Sequence, residues 1–102
     1  QQRVALARAL VGNPRILLLD APTAALDADT EAAFWDALED QENPPTTVVV
    51  THRVATIESA DEVLVLEKGH LVQRGRHKEL LRRGGVYERI YGRYKVMEDL
   101  EV

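Results

Sequence analysis

The spacing of apolar residues switches repeatedly between a helical and an extended period, and each switch predicts an element. Val4, Ala7 and Val11, with Leu6 and Leu10, recur at helical spacing. Gly12, Asn13 and Pro14 then supply a terminating glycine and a breaker, so a first helix is expected to end near Val11. Residues 16–19 form an unbroken apolar run closed by Asp20. A run without polar alternation predicts a strand buried on both faces of a parallel sheet. Asp27 is placed to cap a second helix reaching about Asp40, with Asp29 and Glu31 in the first turn, where negative charge complements the helix dipole. Asn43, Pro44 and Pro45 end that helix. Residues 46–51, rich in β-branched side chains and apolar at Val48, Val49 and Val50, predict a second buried strand with His52 just beyond it.

A strand, a helix and a strand joined by a crossover of this length favour parallel pairing, which would bring Asp20 and His52 to one edge of the sheet. Residues 62–66 and 71–74 flank a compact turn over 67–70 and predict an antiparallel hairpin that closes the sheet. A short helix is expected over 76–83. Gly84 and Gly85 separate it from a last helix in which Tyr87, Ile90, Tyr94 and Met97 share a face, with a tail from Glu98 to Val102 expected to fray. No repeat or low-complexity tract interrupts the chain, so it is expected to form one compact α/β unit. A start without Met, inside a helical pattern, leads us to expect a piece of a longer chain.

Composition narrows the chemistry. The 102 residues carry 13 Lys and Arg against 17 Asp and Glu, a formal charge of -4, so the basic excess that phosphate-backbone binding needs is missing and nucleic acid is not expected as a partner. There is no cysteine, which excludes disulfides, thiolate metal sites and a cysteine nucleophile. The longest apolar run falls far short of the roughly 18–20 residues a membrane-spanning helix needs.

Candidate chemistry concentrates in residues 15–27, Arg-Ile-Leu-Leu-Leu-Asp-Ala-Pro-Thr-Ala-Ala-Leu-Asp, where an apolar strand delivers one carboxylate and a tight turn leads to a second that opens a helix. Ligands of open α/β sheets collect outside the carboxyl ends of the strands, so Asp20 stands where a metal-bound phosphate would rest, and an aspartate there can hold Mg²⁺. The bland alternative for Asp20 is a strand end in solvent; for Asp27 it is a helix cap. His70 and His77 are expected to face solvent without metal-ligand spacing. Arg82, Arg83, Arg89, Arg93 and Lys95 alternate with acids as a solvated helix face does, and Tyr87, Tyr91 and Tyr94 are expected as packing residues.

The thirteen-residue string resembles the Walker B motif and D-loop of ATP-binding-cassette ATPases, whose usual form is an apolar run followed by Asp-Glu-Pro-Thr-(Ala/Ser)-(Ala/Ser)-Leu-Asp. Gln2-Arg3 and the helix after them resemble the segment following that family's signature sequence. Thr51-His52-Arg53 resembles its H-loop, and residues 60–66 with Gly69 and Gly75 resemble the hairpin beyond. Residues 75–81 and 85–87 are similar to the closing helices of exporter-type members. The resemblance covers nearly all of residues 1 to 95. It implies that residues 1–102 are the C-terminal part of a nucleotide-binding domain with a P-loop NTPase-like fold: buried parallel strands, helices, an antiparallel hairpin and two closing helices. ATP and Mg²⁺ are the implied cofactors, with Asp20 holding Mg²⁺ through water, His52 contacting the γ-phosphate and Asp27 sitting in the D-loop beside a partner domain. The implied partners are the N-terminal half of the same domain, a transmembrane domain and a second nucleotide-binding domain, at the cytoplasmic face of the cell membrane.

Two departures from the family pattern bear on activity. Position 21 is Ala where the pattern has the glutamate that polarises the attacking water; a methyl group cannot do this, and losing a general base costs about 10²–10⁴-fold in rate. Either a naturally degenerate site of an asymmetric pair or an introduced substitution that traps nucleotide fits Ala21; a natural one favours a heterodimer over a homodimer. Second, none of the six glycines belongs to a G-x-x-x-x-G-K-[ST] loop, so the phosphate cradle is missing from these residues. The strand that carries that loop is expected to lie between the two strands predicted here. Two other readings stand beside an exporter domain: a soluble ATPase of related architecture, and an inactive assembly fragment.

Overall fold

The computed structural model of the chain describes residues 14–20 and 28–100; the expected helix over 1–11 lies outside them. In chain order it runs β1 (Ile16–Asp20), α1 (Ala28–Glu39), β2 (Thr46–Val50), α2 (Val54–Ser59), β3 (Val63–Glu67), β4 (His70–Gly75), α3 (His77–Arg83) and α4 (Val86–Asp99). The strands form two sheets, β1 with β2 and β3 with β4. The chain divides into two compact units, Gln1–Thr51 and His52–Val102, instead of the single unit expected. Among the described residues β3 pairs with β4 and neither pairs with β1 or β2, so the expected single closed sheet is not met.

In the first unit β1 and β2 run parallel, with Ile16 opposite Thr46, Leu18 opposite Val48 and Asp20 opposite Val50. The Thr46 N–H donates to the Arg15 carbonyl at 2.8 Å, so the ladder begins one residue before β1. The two strands are direct neighbours; the expectation of a strand between them is wrong, because their backbone groups already satisfy one another. α1 returns over one face and sets Leu38, Phe34 and Trp35 against Leu17 and Leu19. Side chains alternate across a strand, so Ile16 and Leu18 point the other way and stand 71 % and 72 % exposed. Burial on both faces is therefore not met: β1 buries one face, and β2 has Val48 and Val50 exposed and Val49 half-buried. α1 starts with Asp29 and Glu31 in its first turn, and the Trp35 indole N–H donates to the Glu31 carboxylate one turn back at 3.2 Å.

The second unit is built on a tighter hairpin than the spacing predicts. β3 ends at Glu67 and β4 starts at His70, leaving a two-residue loop in which Lys68 (φ 50°) and Gly69 (φ 79°) are both left-handed, the geometry that matches the twist of a hairpin. A register shift at Val65 and Leu66 absorbs an extra residue. α3 and α4 pack on this hairpin, and Val65, Leu80 and Tyr87 form its core with Ile57, Val63 and Ile90 against them. α2 is absent from the sequence reading: six residues with Val54, Thr56 and Ile57 β-branched carry too little periodicity to read. Glu98 does not fray; α4 continues through Asp99, and the Glu98 carboxylate accepts the Val54 N–H at 2.8 Å. The expected face of α4 turns inward at Tyr87, Ile90 and Tyr94, but Met97 is 59 % exposed.

Candidate functional site

Asp20 closes β1, and its carboxylate is exposed at the carboxyl end of a parallel pair. Its register partner Val50 closes β2, so both strands finish level at this edge. Among the described residues no group of three or more histidines and carboxylates gathers to hold a metal. Asp20 thus offers a single hard oxygen donor, which fits a Mg²⁺ ion that keeps waters and phosphate oxygens as its other ligands and does not fit an all-protein cage. An open groove lined by Pro14, Arg15, Gln41, Glu42, Asn43 and Pro44 lies at the other end of these strands.

His52 follows Val50 by two residues and opens the second unit, in an extended segment ahead of α2. Its imidazole is exposed, and its ring centroid lies 6.0 Å from that of Tyr94, with the planes at 59°. Ala21 and Asp27 lie outside the described residues.

A second polar cluster joins α2, α3 and α4. His77 is half-buried and does not face solvent as expected: its Nδ1 is 2.7 Å from the Tyr87 hydroxyl, and its ring packs 4.7 Å from that of Tyr91. Tyr91 donates its hydroxyl to the Glu58 carboxylate. Burial, with the Glu58 charge second, pushes the Tyr87 hydroxyl up to about 12. The hydrogen bond to Glu58, then burial, takes Tyr91 to about 12 as well. His70 is exposed, and Arg83 pairs with Glu79 one turn back, in keeping with a solvated helix face. Tyr94, expected for packing, and Glu98, expected to fray, lie four residues apart and so on one face of α4.

No protein-family model matches the chain. It is 47 % identical over 91 residues to the ATP-dependent lipid A-core flippase of Photorhabdus laumondii and 46 % identical over 91 residues to that of Haemophilus ducreyi, each match covering 89 % of this chain. The solved structure of a bacterial Atm1-family ABC exporter with ATP bound matches 90 % of this chain, with a TM-score of 0.84 and 44 % identity. Over these residues the chain is homologous to ABC exporters. It spans 16 % of the length of each of these flippases and 16 % of the exporter chain. The parallel pair, hairpin and helices are accordingly a portion of the P-loop NTPase fold of ABC exporters, and ATP use is what the flippases' name and the exporter's bound ligand have in common.

Proposed function

We propose that residues 1–102 form the C-terminal part of a nucleotide-binding domain in an ABC exporter, where ATP binding drives export across a membrane. The observation that carries this reading is the placement of Asp20 at the carboxyl end of β1, level with Val50 at the end of β2, within a chain 47 % identical to an ATP-dependent flippase. On this reading Asp20 holds Mg²⁺ through water, the His52 imidazole donates to the γ-phosphate, and Asp27 meets a second nucleotide-binding domain. Mg²⁺, when bound, offsets charge on the phosphate oxygens. The N-terminal half of the domain supplies the phosphate cradle, a transmembrane domain supplies the path, and the assembly works at the cytoplasmic face of the membrane.

Ala21 makes this a site that holds nucleotide better than it hydrolyses it. In the longer polypeptide that carries these residues, Ala21→Glu is expected to raise ATP turnover by about 10²–10⁴-fold with little change in nucleotide affinity. An unchanged rate overturns the role given to position 21, and absence of Mg-ATP binding by that polypeptide overturns the reading itself. The 102 residues alone, without a phosphate cradle, are expected to bind Mg-ATP far more weakly than the longer chain, which calorimetry on both would establish.

A further inference from the structure

His52 lies in a short irregular segment, and the helix that follows it is too short to anchor it. α2 has six residues, under two turns, and its N-cap Arg53 makes no side-chain capping bond. The first turn of α2 is satisfied from the far end of the chain: the Glu98 carboxylate accepts the Val54 N–H at 2.8 Å, 44 residues away in sequence. A carboxylate at that point also complements the helix dipole. One turn earlier on α4, the Tyr94 ring sits 6.0 Å from the His52 ring. One turn earlier again, Tyr91 donates to Glu58 near the other end of α2. Positions 91, 94 and 98 are spaced three and four apart and so line one stripe of α4, which grips the segment from His52 to Glu58 at both ends.

From this we propose that Tyr94 and Glu98 are positioning residues for His52, so that the last helix of the chain sets the imidazole used at the γ-phosphate. The proposal rests on the role given to His52 above. A side chain that stabilises charge on a transferring phosphoryl group must be held within a fraction of an ångström, and misplacement is read in turnover before it is read in affinity. Tyr94 fixes the ring and Glu98 fixes the backbone two residues on; neither touches nucleotide.

The test uses the longer polypeptide carrying Ala21→Glu, with ATP turnover, thermal midpoint and the ¹³C-labelled histidine resonance of His52, assigned by its loss in His52→Ala. Tyr94→Leu and Glu98→Ala are expected to lower kcat about tenfold, to leave KM for ATP within about twofold, and to shift the His52 resonance. Tyr94→Phe, which keeps the ring, and Glu98→Gln, which keeps an acceptor, are expected to restore both. If Glu98→Ala unfolds, Tyr94→Leu decides, because it leaves the Val54 hydrogen bond in place. A His52 resonance and kcat that ignore Tyr94→Leu and Glu98→Ala, where His52→Ala abolishes turnover, overturn the proposal alone. Full turnover in His52→Ala overturns the role of His52 and the proposal with it. The resonance reads positioning whether or not position 21 limits the rate.

Discussion

Gln73 on β4 caps Tyr87 on α4: its Oε1 accepts the Tyr87 main-chain N–H at 2.7 Å, while its Nε2 donates to the Gly84 carbonyl at 3.0 Å. The N-cap Gly85 has no side chain to perform this task, so a strand residue does it for the helix. One amide therefore closes the end of α3 and the start of α4 together. Gln73→Ala leaves a half-buried donor and acceptor without that partner and is expected to cost about 1–3 kcal/mol in urea unfolding. Gln73→Glu keeps the acceptor but loses the donor and should cost clearly less; equal losses would mean that the Gly84 bond carries the effect.

Leu80 is the fully buried centre of the second unit, with 0 % exposure, between Val65 and Tyr87. Truncating it removes packed methyl groups and leaves a cavity. Leu80→Ala is expected to destabilise by about 2–5 kcal/mol. Leu100, 79 % exposed just past α4, supplies the contrast: Leu100→Ala should stay within about 0.5 kcal/mol. Chemical denaturation of both variants checks the pair, and similar losses would contradict the core described here.

How far the sequence could be read depends on the range of the interactions that fix each element. β1, β2, α1 and the hairpin are set by runs and breakers within a few residues, so they stood within one or two residues of their expected bounds. α3 and α4 were legible for the same reason, since Gly84 and Gly85 mark the break between them. α2 was not, because what secures it comes from Glu98, and no local pattern announces a cap 44 residues away. His77 was misread on similar grounds: its partners Tyr87 and Tyr91 lie on the next helix, beyond a turn whose direction the sequence does not specify. The expected burial of β1 and β2 failed differently. An unbroken apolar run states that both faces are fit for burial, but only one face is met by a described helix. The strand end that carries Asp20 and the one that precedes His52 were legible from local pattern, whereas Tyr94 beside His52 needed three dimensions.

The two raised tyrosines make an alkaline prediction with a definite sign. Tyr87 and Tyr91 hold their protons to about 12, against an ordinary value of 10.0 in the unfolded chain. Below pH 10 folded and unfolded chains are equally protonated at these hydroxyls, and the stabilisation is complete. Between pH 10 and 12 the unfolded chain binds fewer protons, so stability falls as pH rises and the contribution is gone above about 12. Phenolate absorbance should show these two hydroxyls ionising together with unfolding. Glu58→Ala removes the leading cause for Tyr91 but only the second for Tyr87, and so is expected to lower Tyr91 towards 10 by more than Tyr87. Equal responses would mean that the Glu58 charge, and not its hydrogen bond, raises Tyr91.

The outer face of the parallel pair bears on how the chain behaves by itself. Ile16 and Leu18 on β1 are joined by Val48 and Val50 on β2, 44 % and 58 % exposed, and the register puts all four on one face. A contiguous apolar patch in water favours association, because apolar area removed from solvent is worth roughly 25 cal/mol per Å². The 102-residue chain is expected to self-associate with rising concentration in sedimentation velocity. Leu18→Lys with Val48→Glu places opposite charges on directly paired positions of that face and leaves Leu17, Leu19 and Leu38 untouched, so it should reduce association while preserving the first unit's core. A natural chain that stays monomeric throughout would show that this face is not what drives contact, and a charged pair that leaves association unchanged would move the cause to another surface.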